Sequence, residues 1–340
     1  MAKILVTGGL GFIGSHTVVE LQNKGFEVVI IDNLSNSLIS VLEGITAITG
    51  KKPEFENFDL KNKQGLKEFF ERHNNIDGVI HFAASKAVGE SVNEPLLYYE
   101  NNINTLVYLL QEYKNRYIAN FIFSSSCTVY GQADTLPITE EAPVKPALSP
   151  YGNTKQIGEE ILKDVCHVNP QFNVVSLRYF NPIGAHESSQ IGELPLGVPQ
   201  NLVPFITQTA IGKRNELSVF GNDYPTHDGT CIRDYIHVVD LAKAHVIALE
   251  RLLDKQNKKD FEIFNLGTGT GSSVLEVIKS FERVSGEKLN YKFAQRRAGD
   301  VVSVYADTKK ANLELGWKSK LTLDDAMRSA WKWEQKLSKL

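Results

Sequence analysis

The sequence predicts an α/β fold, a doubly wound parallel sheet with a smaller mixed α/β lobe toward the C-terminal end. Three observations predict it. Short apolar runs that read as buried strands alternate with helical periodicity through the first 180 residues. The first of these strands runs into a glycine-rich turn that opens a helix. After Phe180 the texture changes, and Asn181 to Gly221 is rich in Pro and Gly with weaker strand signals.

Ile4-Leu5-Val6 is a short buried strand that ends in Thr7-Gly8-Gly9. Ser15 to Lys24 has helical periodicity with Val18, Val19 and Leu21 on its apolar side, and Gly25 stops it. Val28 to Ile31 is the next buried strand and ends at Asp32. The alternation continues with a strand at Val79 to Phe82, a helix at Leu96 to Asn115, a strand at Phe121 to Phe123, a helix at Tyr151 to Cys166 and a strand at Val174 to Leu177. Asp234 to Leu253 returns to strand and helix, and Phe261 to Gly267 adds a strand. The expected organisation is a Rossmann-type dinucleotide-binding domain over 1–180, with returns to it around 234–270, and a lobe over 181–340 that mainly binds substrate. Right-handed crossovers in such a sheet gather the strand C-termini at one edge, where ligands bind.

At 340 residues and 42% hydrophobic content the chain can bury a large core. Lys+Arg at 37 against Asp+Glu at 40 leaves a net charge of −3, without the basic excess of a nucleic-acid binder. The basic tail from Lys318 to Lys339 is interleaved with acids and apolar residues and reads as a solvated helix face. Cys127, Cys166 and Cys231 are odd in number and widely spaced, which implies no disulfide framework. With no signal-peptide pattern after Met1, and no apolar run near the roughly 18 residues of a membrane helix, the expected setting is the cytoplasm. The eight histidines are scattered and no H-E-x-x-H or C-x-x-C occurs, so no metal site is expected. Cys127 has no positioned histidine to activate it and reads as a small buried residue.

Gly8-Gly9-Leu10-Gly11-Phe12-Ile13-Gly14 spells G-x-x-G-x-x-G between a strand and a helix. Glycine permits the tight turn and lets backbone approach a pyrophosphate, and the helix N-terminus offers free N–H groups. Asp32 follows Gly14 by 18 residues at the end of the second strand. A carboxylate there accepts ribose hydroxyls and repels a 2′-phosphate, which favours NAD over NADP. A second cluster, Gly267 to Gly271, follows a strand and precedes a helix with Ser272 as N-cap; it reads as a structural turn.

Tyr151 and Lys155 stand four apart at a helix start after Pro150 and share one face. A cation beside a phenol favours the phenolate, so Lys155 is expected to lower the Tyr151 pKa and make it a general base and acid. Ser124-Ser125-Ser126 at a strand end offers a hydroxyl to orient the reacting oxygen.

With these residues in place the chain resembles the extended short-chain dehydrogenases/reductases, and among them the UDP-hexose 4-epimerases, over nearly its whole length. The resemblance rests on Val6 to His16, Asp32-Asn33-Leu34, His81-Phe82-Ala83, Lys86 to Ser91, Phe121 to Gly131 and Ser149 to Gly152. It continues through Arg178 to Pro182, Gly221 to Thr226 and Arg233 to His237. It implies that Tyr151 takes the proton of the sugar 4-hydroxyl while C4 reduces tightly bound NAD. The 4-keto sugar then turns over and is reduced from the opposite face. It assigns Lys155 to the nicotinamide ribose and Ser126 to the reacting oxygen. The further cofactor contacts it implies are Gly8, Gly11, Phe12, Ile13, Gly14, Asp32, Asn33, Asp59, Leu60, Phe82, Ala83, Lys86, Asn101 and Phe180. It also implies that the enzyme works as a homodimer.

A UDP-sugar needs arginines for its phosphates and an aromatic face for uracil. The resemblance supplies Arg233 and Arg297, Phe220 as the stacking face and Asp300 for a ribose hydroxyl. Asn181, Asn201, Leu202, Ser218 and Val219 complete the substrate side, together with Lys86, Ser126 and Tyr151. Some epimerases of the family carry a tyrosine where this chain has Val304. A smaller residue leaves room for a 2-N-acetyl group, so UDP-GlcNAc and UDP-GalNAc are expected as further substrates. A nucleotide-sugar dehydratase would need acidic residues directly after Ser126, where Cys127-Thr128-Val129 offers none. A nucleotide-sugar decarboxylase is a second alternative, and a non-catalytic NAD(H) sensor would have no use for Tyr151 and Lys155.

Overall fold

The computed structural model describes residues 1–116, 118–297 and 300–339. Its frame is a seven-stranded sheet in which every pairing is parallel. The strands are β1 Lys3–Thr7, β2 Glu27–Asp32, β3 Glu54–Asn57, β4 Gly78–His81, β5 Asn120–Ser124, β6 Asn173–Tyr179 and, after four short strands, β11 Phe261–Leu266. Their order is β11-β6-β5-β4-β1-β2-β3. The chain steps outward from β1 to β3 and crosses back to β4, so the order reverses between β1 and β4 and leaves a crevice there.

Helices cover both faces, which is why the strands read as continuous apolar runs rather than alternating ones. Successive residues of β1 divide between the faces. Ile4 and Val6 join Val18, Val19, Leu241 and Leu249 under α1 Phe12–Asn23, α2 Ser40–Thr49 and α8 Val238–Leu253. Leu5 joins Phe69, Leu109, Phe121 and Leu162 under α3 Lys63–Arg72, α5 Pro95–Arg116 and α6 Pro150–Val168. A short α4, Val88–Asn93, precedes α5. The edge strand β3 escapes the apolar signature because its Glu-Phe-Glu-Asn faces water in part. Helix α1 begins at Phe12 instead of Ser15, because the glycine turn runs directly into it with Gly11 as N-cap.

The second lobe has its own core of Val203, Ile206, Leu217, Val219, Ile278, Phe281, Met327 and Trp331. It is built from α7 Leu202–Ala210, α9 Val274–Ser285 and α10 Leu323–Leu337. Its strands are short: β7 Asn181–Ile183 beside β10 Tyr235–His237, β8 Leu217–Phe220 beside β13 Tyr291–Ala294, and β9 Ile232–Arg233 between β12 Ser272–Ser273 and β14 Ser303–Val304. Helix α10 occupies the basic tail; Lys332 faces water while Met327 and Trp331 are buried. The cap of α9 is Ser273, one residue beyond the expected Ser272. Its hydroxyl accepts from the Glu276 N–H at 3.0 Å and the Glu276 carboxylate accepts from the Ser273 N–H at 2.7 Å, a closed capping box.

The glycine cluster after β11 wraps a carboxylate. Fully buried Asp234 accepts from the Thr268 N–H and hydroxyl, both at 2.7 Å, from the Gly269 N–H at 3.2 Å and from the Ala306 N–H at 3.1 Å. A Cβ on Gly267 would stand 2.3 Å from the Asp234 carboxylate, so glycine is required for this close approach.

Candidate active site

The turn after β1 sits at the crevice between β1 and β4. Gly8 has φ +68°, and a Cβ there would meet the Ala83 N at 2.8 Å. A Cβ on Gly14 would lie 2.2 Å from the Gly8 carbonyl oxygen. The loop is therefore folded as tightly as backbone allows, with Gly11 N–H donating to the Gly8 carbonyl at 3.1 Å. No side chain caps α1 at Gly11. The first-turn amides of Phe12, Ile13 and Gly14 stay open to an anion, so this turn fits a dinucleotide pyrophosphate.

Asp32 is oriented from both sides. Its Oδ1 accepts from the Leu34 N–H at 2.9 Å and the Ser37 hydroxyl at 2.8 Å, and its Oδ2 from the Leu10 N–H at 3.1 Å. Asn33 donates to the Asp59 carboxylate at 3.0 Å, which brings two expected adenosine contacts together. Leu60 is buried in the core behind them. Phe82 packs on the His245 ring at 4.7 Å, and Asn101 donates to the Ser85 hydroxyl at 3.1 Å beside Lys86. Phe180 is buried with Val129 and Tyr130 next to the triple-serine segment.

Ser149 caps α6 through the Gly152 N–H at 3.1 Å, and Pro150 takes the first turn. Tyr151 and Lys155 follow on the buried face. The Lys155 ammonium donates to the Ser124 carbonyl at 2.7 Å and lies 5.8 Å from the centre of the Tyr151 ring. Burial pulls the Lys155 pKa down to about 8, opposed by Glu159. The expected lowering of the Tyr151 pKa is not what the structure has: burial pushes the phenol well above its ordinary value. The ammonium is turned to Ser124, and the loss of hydration is the larger effect. Buried Ser126 acts on the phenol in the opposite sense to burial. Cys127, half-buried, has its thiol pushed up to about 12 by burial and is not a thiolate.

The lobe contributes a self-paired cluster. Arg297 forks onto Asp300 at 3.0 and 3.2 Å and lies 4.9 Å over the Phe220 ring. Arg233 reaches the same carboxylate at 3.5 Å and donates to the Val301 carbonyl at 2.7 Å. Val304 pairs with Arg233 in the β14–β9 register. The Asn181 N–H donates to the Asp234 carbonyl at 2.9 Å, and the Asn201 amide donates to Glu193 at 2.5 Å. Ser218 on β8 stands opposite Lys292 on β13. Two expected substrate contacts have side chains turned elsewhere: Val219 is buried in the lobe core, and Leu202 packs against it.

Three acidic residues escaped the sequence reading. Glu193 holds Asn201, Asp234 ties Arg233's segment to the glycine cluster, and Glu159 forms a buried pair with Arg178 at 2.5 Å. Only Glu159 left a local signal, continuing the spacing of four from Tyr151 through Lys155.

The GDP-mannose 4,6 dehydratase family model matches residues 5–330. The chain is 52% identical to the UDP-glucose 4-epimerase of Bacillus subtilis over 332 residues, 97% of this chain and 96% of that one. Among solved structures, the Stenotrophomonas maltophila UDP-glucose 4-epimerase with bound NAD and formylated UDP-arabinopyranose superposes with a TM-score of 0.96. Its identity is 46%, with 100% of this chain and 99% of that chain covered. The Bifidobacterium longum UDP-glucose 4-epimerase in complex with NAD+ and UDP gives a TM-score of 0.94 at 48% identity, covering 98% of each chain.

Proposed function

The chain belongs to the extended short-chain dehydrogenases/reductases as one of their UDP-glucose 4-epimerases, and from that premise we propose which of its residues carry the reaction. The enzyme interconverts UDP-galactose and UDP-glucose. Bound NAD supplies the reversible two-electron oxidation at sugar C4. Tyr151 removes the 4-hydroxyl proton as the phenolate and later returns it, and Ser126 orients that oxygen; the Lys155 ammonium and the positive charge of bound NAD+ would favour the phenolate against the effect of burial. Water is excluded around the phenol, so the proton stays on Tyr151 between the two half-reactions. Lys155 fixes the Ser124 carbonyl and reaches the nicotinamide ribose. The glycine turn, Asp32, Asn33 and Asp59 hold the dinucleotide. Arg233, Arg297, Phe220 and Asp300 hold the uridine diphosphate, with Asn181 and Asn201 at the sugar. A dehydratase would need a carboxylate directly after Ser126, and Cys127-Thr128-Val129 has none.

The observation that carries this reading is the convergence of Tyr151, Lys155 and the triple-serine segment at the C-terminal end of β5, one strand from the point where the strand order reverses. The test is a coupled assay with UDP-galactose and no added NAD. Tyr151→Phe is expected to lower kcat by about 10²- to 10⁴-fold while NAD still co-purifies. Unchanged turnover in this variant would remove Tyr151 from the chemistry.

A wider substrate range has separate support. Val304 packs against the Val129–Phe180 cluster, whereas its neighbour Tyr305 lies against Gly271, where a Cβ would stand 3.2 Å from its ring. The small side chain is thus on the Phe180 side, and the bulky one is not. UDP-GalNAc is expected to turn over alongside UDP-galactose. Val304→Tyr should abolish UDP-GalNAc turnover and leave UDP-galactose turnover within about tenfold. Native enzyme that accepts UDP-galactose and refuses UDP-GalNAc would end this reading.

A further inference from the structure

Tyr151, Lys155 and Glu159 repeat every four residues along α6, and all three are buried against β5 and β6. The reaction assigns work to the first two. Glu159 is the third, and it makes four hydrogen bonds. Its Oε1 accepts from the Ser125 hydroxyl at 2.7 Å, the Ser176 hydroxyl at 2.8 Å and Arg178 Nε at 2.9 Å, and its Oε2 accepts from Arg178 Nη2 at 2.5 Å. Burial alone would push this carboxyl up, but the guanidinium fork and the two hydroxyls outweigh it and hold it below the ordinary carboxylate range. Arg178 in turn lies 4.7 Å over the Tyr130 ring.

A buried ion pair is costly to assemble, and apolar residues of similar volume fill a core as well or better. What an apolar pair cannot do is grip a hydroxyl on a neighbouring strand. Each serine of the triplet at the end of β5 has its own anchor. The Ser124 carbonyl holds Lys155, and its hydroxyl meets that of Tyr179 at 2.5 Å. The Ser125 hydroxyl is held by Glu159, and its N–H donates to the Leu177 carbonyl at 3.0 Å. The Ser126 hydroxyl oxygen accepts from the Thr128 N–H at 3.2 Å and neighbours the phenol. Ser125 stands between the residue that fixes the lysine and the residue that meets the reacting oxygen.

We infer that Glu159 is a positioning residue for the epimerisation, acting through Ser125 to hold Ser124 and Ser126 in register with Lys155 and Tyr151. This rests on the epimerase reading above. The Arg178 fork fixes the carboxylate, the carboxylate fixes Ser125, and the strand end is thereby locked to the helix that carries the phenol. Small displacements of a reacting constellation cost rate far more than they cost binding.

The test compares native enzyme, Ser125→Ala, Glu159→Gln and the double variant as purified holoenzymes. Measured quantities are kcat and KM for UDP-galactose, NAD per subunit by absorbance, and Tm. Ser125→Ala leaves the ion pair intact and folds even where Glu159→Gln does not, since Gln leaves Arg178 without its counter-charge. The expected result is a kcat per bound NAD about tenfold lower in Ser125→Ala, with KM within about twofold and NAD content unchanged. Where Glu159→Gln folds, the double variant should be no slower than Glu159→Gln alone, because both changes cut the same link. A Ser125→Ala enzyme with native kcat, or losses that simply multiply in the double variant, would overturn the inference while leaving the epimerase reading intact. A native enzyme inactive on UDP-galactose would overturn both.

Discussion

The two halves of the site are built on opposite terms. At the proposed nucleotide edge the glycine turn is backbone locked by contacts with no slack: Gly8 against Ala83, and Gly14 against the Gly8 carbonyl. On the lobe the groups are long side chains that satisfy one another, Arg297 on Asp300 and over Phe220, with Arg233 at the same carboxylate. On the proposed assignment the first half needs no rearrangement to bind, while the second exchanges its own pairs for the diphosphate, so part of its binding energy goes to exchange rather than to affinity.

The comparison breaks most severely at Gly14. A Cβ 2.2 Å from a carbonyl oxygen has nowhere to go, and the obstacle is backbone. Gly14→Ala is expected to purify with about a tenth or less of the NAD of native enzyme, measured by absorbance, and to be inactive without added cofactor. Arg297→Ala should act more gently. Loss of a charge-assisted contact costs about 1.5–3 kcal/mol, or roughly ten- to a hundredfold in UDP affinity by calorimetry, with NAD content unchanged. An equal loss of NAD in Arg297→Ala would mean that the two halves are not independent.

The smallest effect is one of pH. Burial lowers the Lys155 pKa from 10.5 to about 8, so between those values the unfolded chain holds a proton that the folded chain has released. Stability therefore rises with pH through that window, on account of this group. Native enzyme stripped of NAD should gain stability relative to Lys155→Met between pH 8 and 10.5, as read by urea unfolding. A difference independent of pH would mean that the lysine keeps its proton throughout.

What the sequence makes legible follows the same division. The glycine turn, Asp32 and the Tyr151–Lys155 spacing are local patterns, set by a strand-to-helix turn and by one helical turn. Glu159 is half legible: its spacing is local, but its meaning lies in Arg178 and Ser125, brought to it by β6 and β5. Asp234 is not legible because its partners come from distant segments, and Glu193 is not because an acidic residue in a loop reads as solvated. The direction of the Tyr151 shift is not legible for a related reason. Spacing reveals the cation, but only the packed structure reveals how completely water is removed from the phenol. Ser272 against Ser273 is a one-residue ambiguity that two adjacent serines cannot resolve before the capping box forms.

Asp234 bears on how firmly the lobe is joined to the sheet. The carboxylate gathers donors from the glycine cluster after β11 and from Ala306 in the lobe, and it directly follows Arg233. Swinging the lobe away from the sheet would strip these donors from a charge that water does not reach, a cost of several kcal/mol. Asp234 is thus a buried rivet between the lobe and the C-terminal edge of the sheet.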